Sequence, residues 1–342
     1  MTKISDIQAE DVLDLSASFE PGAKRDLVIQ TSQCWTRDTF DRSCLNIDMD
    51  SAVQGELFAA LNVLRARPLP TLLEDGNRHT LQKTRIFLTS IRDHLEQGSG
   101  IAVVNGIDTA GCTLDEIKSL FWLMGNAFDR VVATKWDGTM IYDVRDTRRP
   151  AGYGVRGSTT NRELSFHTDN AFGTLLPKHV GLYCIRQAEK GGASRVCSLN
   201  TVFNHMLLHH RPLLERLFEP MFYDRQAEHA ATAPKVMRVP MFDFSDGGLA
   251  ARLTPNLVRN GYDLLGLKMD DMLSEALDTL EQVLAIDDFS VQFSLKSDQM
   301  QFINNLNMAH SREAFSDQDN HDSQRHLLRT WYRDTAGRAY DG

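Results

Sequence analysis

Hydrophobic residues in the first third of the chain recur every three or four positions, which is the period of an amphipathic helix. One hydrophobic face runs over 53–64, after a capping-box spacing that starts at Ser51, and a second runs over 87–95. A third face follows the capping box that starts at Thr113. We therefore predict that residues 1–98 are mainly helical. They carry no assignable motif, so a lid, a packing layer and a dimer contact all stay open as their role.

The pattern then changes to short runs with a period of two, which predicts β-strands. An apolar run bounded by glycines spans 100–106, and the alternation is clearest over 180–184 and 289–295. The pair Gly191-Gly192 predicts a turn, across which 195–198 would pair back onto the preceding strand.

Helical spacing returns between about 200 and 285 and interrupts the strands. Pro212 must break or restart a helix in this stretch. A later helix is indicated by four leucines on one face, namely Leu273, Leu277, Leu280 and Leu284. There is no internal repeat and no linker, so this order predicts one α+β domain over 1–342. Its core would be a barrel or sandwich over 99–335 with a helical insertion.

Composition and charge narrow the class of partner. Hydrophobic residues make up 42% and charged residues 24% of the chain, which is typical of a globular protein with a full core. The net charge of −9 argues against nucleic acid as the main partner, and no apolar run reaches the ~18 residues of a membrane span. Five scattered cysteines without a CxxC pair, and a start without a signal peptide, predict a reduced, cytoplasmic protein that acts on a small molecule.

The tripeptide His167-Thr168-Asp169 is the strongest candidate for chemistry. On a β-strand a residue and its second neighbour point to the same side, so these two side chains can bind one ion. A distant strand-like run leads to His310, which can supply a second imidazole. Two histidines and one carboxylate on one side of a metal suit non-haem iron(II) that handles oxygen. For the tripeptide alone, the alternative is a surface histidine beside a solvated aspartate.

Two arginines lie four residues apart in a later strand-like segment. On a strand, Arg325 and Arg329 would share one face with Leu327 and Trp331. Guanidinium groups on an otherwise apolar face are costly to bury without anionic partners. This face therefore predicts a binding site for a carboxylate beside the metal, and a solvent-facing basic edge is the alternative.

The ordered set of motifs resembles the taurine and 2,4-dichlorophenoxyacetate dioxygenases, which use iron(II) and 2-oxoglutarate. The resemblance spans roughly 100 to 335 and rests on four segments in the family's order, 163–170, 191–194, 304–315 and 325–331. It implies a double-stranded β-helix, also called a jelly roll. The iron ligands that it implies are His167, Asp169 and His310.

The resemblance also implies roles for residues around the metal. Arg325 would pair with the distal carboxylate of 2-oxoglutarate, assisted by the hydroxyl of Ser194. Arg329 matches a second arginine that holds an acidic substrate group in some members, and a structural ion pair is the alternative. Related halogenases lack the carboxylate ligand, so the presence of Asp169 implies hydroxylation with O₂, coupled to conversion of 2-oxoglutarate to succinate and CO₂. Desaturation and ring formation are variants.

Five further residues are candidates for substrate binding. Glu163 lies on the metal-facing side of the predicted strand, where a turn cap or a salt bridge is the alternative. Arg312 lies on the strand of the second histidine. Tyr153, Arg156 and Ser158 belong to a polar, glycine-rich loop before the metal strand, and loops in such places commonly shape substrate entry. The expected substrate is a small molecule, amino-acid-like or an intermediate of natural-product biosynthesis.

Two other functions would use some of the same residues. A zinc hydrolase also binds its metal through histidines and a carboxylate, but it would need neither a keto acid nor the guanidinium of Arg325. A catalytically silent ligand sensor on the same fold would bind without forming succinate. These alternatives make the metal, the keto acid and the reaction separately testable.

Overall fold

The computed structural model describes residues 11–19, 26–106, 108–150, 154–244, 247–317, 323–334 and 337–340. Within these residues the helices are α1 (Ser51–Ala66), α2 (Gln82–Gln97), α3 (Leu114–Phe128), α4 (Leu199–His209), α5 (Arg211–Leu217), α6 (Pro255–Leu265) and α7 (Asp271–Leu284). The strands are β1 (Val12–Asp14), β2 (Ile101–Asn105), β3 (Val131–Val132), β4 (Tyr142–Val144), β5 (Leu164–His167), β6 (His179–Arg186), β7 (Lys190–Gly191), β8 (Ser194–Ser198), β9 (Met221–Asp224), β10 (Val236–Val239), β11 (Phe242–Asp243), β12 (Ala250–Ala251), β13 (Ser290–Phe293), β14 (Gln299–Asn304), β15 (Met308–Arg312), β16 (Phe315–Ser316) and β17 (His326–Tyr332).

Two antiparallel sheets carry the site. The larger sheet has the strand order β2-β14-β6-β17-β3, with β4 also paired to β17, and the smaller one has the order β13-β8-β15-β5. Val180 and Trp331 of the larger sheet and Val196 and Met308 of the smaller sheet belong to one buried hydrophobic cluster. The two sheets therefore pack face to face, and the prediction of a fold that combines helices with antiparallel sheets is confirmed.

Strand β17 presents its side chains alternately to two environments. Leu328 and Tyr332 are buried in the cluster that the first three helices form with the larger sheet. Leu327 and Trp331 belong to the clusters on the other side, between the sheets. Because side chains alternate along a strand, Arg329 points toward the space between the sheets with Trp331.

The first three helices cover the outer face of the larger sheet. Leu57 of α1, Leu88 of α2 and Phe121 of α3 are fully or almost fully buried in one cluster with Phe302 of β14. Of the roles that the sequence leaves open for residues 1–98, the structure shows the packing layer.

The caps of these helices agree with the sequence in one case and differ in another. The capping box at Thr113 is present in α3. In α1 the cap is Asp50, whose carboxylate accepts hydrogen bonds from the N–H groups of Ala52 at 2.9 Å and Val53 at 2.8 Å. The capping box predicted at Ser51 is therefore wrong by one residue, because aspartate is an equally good cap and precedes it.

The insertion between 200 and 285 contains strands as well as helices. Strands β9 and β10 pair antiparallel, and β1 joins β10 in parallel from the other end of the chain. The predictions of a helical insertion and of a mainly helical region 1–98 are therefore incomplete. Strands of two to four residues contain too few alternations to show a period in the sequence. The leucine face of α7 is buried as predicted.

The turn at Gly191-Gly192 connects strands of different sheets. Strand β6 pairs with β14 and β17, whereas β8 pairs with β13 and β15. The prediction that 195–198 pair back onto 180–184 is therefore wrong. Both glycines have positive φ, +74° and +73°, and such a turn serves a hairpin and a change of sheet equally well.

Candidate metal centre

The structure brings the three predicted metal ligands together. His310 on β15 stands directly opposite His167 on β5, and their ring centroids are 4.3 Å apart. Asp169 follows β5, and its Oδ1 lies 3.6 Å from Nε2 of His167 and 3.8 Å from Nε2 of His310. One ligand atom from each of the three side chains lies within 4.8 Å of the others. A single ion between them can contact all three.

Four hydrogen bonds position the short segment that carries His167 and Asp169. Thr168 donates its N–H to Leu253 O at 3.0 Å and its hydroxyl to Ala251 O at 2.9 Å, which ties the segment to the insertion. Asp169 donates its N–H to the side chain of Asn305 at 2.7 Å and accepts a hydrogen bond from the same amide at 3.0 Å. The direction of the carboxylate is therefore fixed by residues from two other parts of the chain.

The carboxylate of Asp169 is ionised and oriented. Trp331 donates its indole N–H to Oδ2 at 2.7 Å, and Arg329 lies 3.2 Å from both oxygens. Burial alone raises the pKa of Asp169, but Arg329 and the two histidines more than offset this effect, and the pKa lies below its ordinary range. Oδ1 faces both imidazoles, so it is the oxygen available to a metal.

The two imidazoles are suited to bind a metal through Nε2. His167 has its Nδ1 at 2.9 Å from Ser165 O, which fixes the ring orientation as second-shell contacts do in metal sites. Burial, followed by the nearby His167 and Arg329, lowers the pKa of His310 to about 3, so this imidazole is neutral. Two imidazoles and one carboxylate on one side of a point form a donor set that fits iron(II).

A small cavity of about 40 Å³ brings Arg325 and Ser194 together. The residue Arg325 is only 6% exposed, and its Nη1 is buried without a hydrogen-bond partner among the described residues. Burial lowers the pKa of Arg325, and Cys184 and Asp317 offset this only partly. A buried, incompletely paired guanidinium facing a cavity fits an anionic ligand group.

A larger cavity of about 430 Å³ opens beside the metal ligands. Of the predicted substrate residues, four line it, namely Arg156, Ser158, Glu163 and Arg329. Arg312 is not among its lining residues and donates to the backbone carbonyls of Thr160, at 2.8 Å, and Arg162. Tyr153 lies outside the described residues. The insertion contributes another part of the wall, including Asn256, Leu257 and Leu284.

Arg156 connects the loop before β5 to the insertion. Its guanidinium lies 2.8 Å from the carboxylate of Glu228 and donates to Thr134 O at 3.1 Å. Its charge also lies over the ring of Tyr142, 5.4 Å from the centroid, and Arg329 lies 5.0 Å from the same ring. Ser158, in contrast, has a buried hydroxyl without a partner among the described residues. Among the described residues of this loop, Ser158 therefore offers a hydroxyl that is free for a ligand.

Three residues shape the centre in ways that the sequence does not show, although Trp331 was expected on the same face as Arg329. Asn305 and the indole of Trp331 hold Asp169, and Arg252 donates to Ala171 O at 3.0 Å and Thr174 O at 3.2 Å behind it. Asn305 lies within the segment 304–315 that carries the resemblance, but its contact to Asp169 spans most of the chain. Arg252 sits in the insertion, where no motif marks it.

The chain is similar to known proteins over most of its length. Residues 68–331 match the family described as taurine catabolism dioxygenase TauD, TfdA family. The chain is similar to FR-33289 synthase of Streptomyces rubellomurinus, with 27% identity over 297 residues that cover 85% of this chain and 86% of that protein.

Among the described residues, none of the helices combines the length and apolar composition that a membrane crossing requires.

Two solved structures show the same fold. Asparagine oxygenase, crystallised with Fe(II), 3-hydroxyasparagine and succinate, superposes with a TM-score of 0.66 at 15% identity, covering 85% of this chain and 94% of its own. The non-haem iron oxygenase OrfP, crystallised with Fe and alpha-ketoglutaric acid, gives a TM-score of 0.59 at 18% identity with the same coverage of both chains.

The family match extends over well more than half of the chain and includes the segments around His167, Ser194, His310 and Arg325. The predicted resemblance and the predicted class of reaction are therefore confirmed. The chain belongs to the TauD, TfdA family and is an iron(II)- and 2-oxoglutarate-dependent oxygenase.

Proposed function

We propose that His167, Asp169 and His310 hold the iron of this oxygenase within a jelly roll formed by the two facing sheets. The observation that carries the proposal is the direct pairing of His310 with His167, with the Asp169 carboxylate beside both. This places three suitable donors on one side of a point and leaves the cavity side open to ligands.

The cavity that Arg325 shares with Ser194 is proposed to receive the distal carboxylate of 2-oxoglutarate. A guanidinium and a hydroxyl can together satisfy both oxygens of a carboxylate, and the buried charge of Arg325 gains the partner that it lacks. With O₂ and 2-oxoglutarate, bound iron(II) supplies an oxidant that breaks a C–H bond, with release of succinate and CO₂.

The side chains around the centre orient its carboxylate. Trp331 and Arg329 hold the Asp169 carboxylate, so one of its oxygens stays directed at the two imidazoles. Arg329 also lines the substrate cavity and has a buried Nε without a partner among the described residues. We propose that it both orients Asp169 and contacts an acidic group of the substrate.

We propose hydroxylation of a small substrate that is amino-acid-like or an intermediate of natural-product biosynthesis. The cavity presents Arg329 and Glu163, which suits a molecule with both an acidic and a basic group, and Ser158 offers a free hydroxyl. Asparagine oxygenase is by name an enzyme that acts on an amino acid, and its structure contains 3-hydroxyasparagine, which supports an amino-acid-like substrate. Asp169 occupies the position of the carboxylate ligand, which favours hydroxylation.

An anaerobic titration with iron(II) and 2-oxoglutarate tests the proposal. We expect a weak visible charge-transfer band in the wild type, absent in His310→Ala and Asp169→Ala and retained in His205→Ala, whose ring lies on α4 away from the cavity lining. Candidate substrates are then screened by their shift of this band and by stimulation of succinate formation. Normal iron binding by His310→Ala would contradict the ligand assignment, and oxygen-independent activity with zinc would favour a hydrolase.

Three further predictions belong to this proposal. The chain is expected to form one oxygenase domain and to act in the cytoplasm, and its five cysteines are free in the structure, as a reducing compartment requires. An oligomer through the region before residue 95 is tested by light scattering, and the location by cell fractionation.

A further inference from the structure

The segment 337–340 lies beside the metal centre, although it follows the part of the chain that matches the family. Two hydrogen bonds fix its backbone. The N–H of Ala133 donates to Arg338 O at 2.9 Å, and the guanidinium of Arg333 donates to Ala339 O at 2.9 Å. The segment therefore runs next to β3 in a defined position.

Tyr340 contacts two neighbours of Asp169, namely Trp331, which is hydrogen-bonded to the Asp169 carboxylate, and Asn170, which follows Asp169 in the sequence. Its ring stacks on Trp331, with centroids 6.5 Å apart and an interplanar angle of 23°. Its hydroxyl donates to Oδ1 of Asn170 at 3.2 Å. Trp331 is hydrogen-bonded to Asp169, and Asn170 is the next residue after Asp169. Tyr340 therefore contacts Trp331 through its ring and Asn170 through its hydroxyl, and both residues adjoin Asp169.

The side chain of Asn170 is held at both of its polar ends. The residue has a φ of +55°, in the left-handed region, which asparagine adopts more readily than most non-glycine residues. Its Nδ2 donates to Leu175 O at 3.1 Å, and its Oδ1 accepts from Tyr340. The two ends of one amide are thus held by separate partners, which stabilises the turn that directs Asp169 into the site.

We propose that Tyr340 is a positioning residue of the metal centre, which holds Trp331 through its ring and Asn170 through its hydroxyl and so keeps the Asp169 carboxylate directed at the two imidazoles. The inference rests on the proposed function, because it presumes that Asp169 is an iron ligand. It extends the centre to a segment beyond the family match.

Tyr340→Phe and Tyr340→Ala separate the two contacts. Tyr340→Phe keeps the ring and loses one neutral hydrogen bond, so we expect iron(II) to bind roughly fivefold more weakly in the presence of 2-oxoglutarate. Tyr340→Ala loses both contacts, and we expect about a tenfold loss with a shifted or weakened charge-transfer band. The matched control is Tyr262→Ala, a buried tyrosine that packs on Phe222 and does not line the cavity.

The readouts are the anaerobic iron(II) titration, the charge-transfer spectrum and thermal unfolding of the iron-free protein. Wild-type iron affinity and spectrum in folded Tyr340→Ala would overturn the inference, as would an equal loss in Tyr262→Ala. If Tyr340→Ala does not fold, Tyr340→Phe decides, and unchanged iron affinity overturns the inference. Failure of the wild type to bind iron, or normal binding by Asp169→Ala, would instead overturn the proposed function.

Discussion

The side-chain amide of Asn305 forms hydrogen bonds with both backbone polar groups of Asp169, its C=O and its N–H. The side chain of Asn305 donates to Asp169 O at 3.0 Å and accepts from its N–H at 2.7 Å. The same Nδ2 also donates to Pro177 O at 3.0 Å, and the residue is fully buried. The turn between β14 and β15 therefore fixes the carboxylate ligand, while β15 itself supplies His310.

Asn305→Ala is expected to lower both stability and iron affinity. Three hydrogen bonds are lost and buried backbone groups are left without partners, which costs about 3 kcal/mol of unfolding free energy. Iron should bind about tenfold more weakly, because the ligand loses its support. Urea denaturation and iron titration measure the two effects. The control is Asn304→Ala, which removes a buried amide bonded to Leu95 O at 3.3 Å without touching Asp169. Equal iron affinities in the two variants would contradict this prediction.

Arg325→Ala is expected to weaken 2-oxoglutarate binding without destabilising the ligand-free protein. The loss of a charge-assisted contact should raise the dissociation constant roughly ten- to a hundredfold. The ligand-free variant should be at least as stable as the wild type, because a buried charge with an unpartnered nitrogen is removed. Thermal unfolding with and without 2-oxoglutarate shows both effects, and Arg325→Lys, which keeps the charge but not the fork, should lie between. A strong loss of stability without ligand would assign Arg325 a structural role.

Asp143→Asn is expected to reduce stability in a pH-dependent way. Burial raises the pKa of Asp143, but hydrogen bonds from His326, at 2.7 Å, and Lys118, at 3.0 Å, offset this and lower the pKa to about 2. Since the pKa in the folded state lies below its ordinary 3.8, the stabilisation is present above pH 3.8 and is lost as the pH falls through about 2. The side chain is about one-third exposed, so we expect ~1 kcal/mol at pH 6. The difference in unfolding free energy between wild type and variant should be equal at pH 6 and 4.5 and smaller at pH 3, and a difference that grows toward acid would refute the assignment.

Gly261→Ala is expected to destabilise the insertion. Gly261 lies in α6, and an added Cβ would be 2.5 Å from Phe222 O on β9, where backbone cannot move aside easily. We expect a loss of about 2–3 kcal/mol in urea denaturation. The control is Gly55→Ala in α1, where a Cβ meets nothing within 4 Å and should stabilise the helix by about 0.5–1 kcal/mol. A stabilising effect of Gly261→Ala would show that α6 and β9 are not in close contact.

The sequence predicts the parts of the fold that depend on local periodicity. The presence of α1 to α3, the strand β2 and the leucine face of α7 follow from patterns long enough to show a period, although the cap of α1 and the start of α2 do not. The strands β9 to β12 do not follow from the sequence pattern, because each has only two to four residues. The parallel pairing of β1 with β10 does not follow either, because the two strands lie far apart in the sequence. Pairing between distant strands is set by the packing of the whole molecule.

The candidate site was predictable where chemistry restricts residue type. Two imidazoles, a carboxylate and a guanidinium in the order His167, Asp169, His310 and Arg325 leave few interpretations. The supporting contacts were not predictable from the sequence. They are made by Asn305, Arg252 and Tyr340, which are common residue types that only the fold brings close to Asp169. Arg312 shows the converse, since its position beside His310 suggests the site but its guanidinium holds backbone carbonyls.

The order of strands in the two sheets has a consequence for biosynthesis. β14 lies between β2 and β6, β15 between β8 and β5, and β17 between β6 and β3, so strands translated late fill the middle of both sheets. During translation, the earlier strands have unpaired edges until β14, β15 and β17 leave the ribosome. Unpaired strand edges are prone to aggregation, and chaperones commonly act at this stage. A nascent chain that has exposed only His167 and Asp169 still lacks His310, so the three proposed ligands come together only late in synthesis.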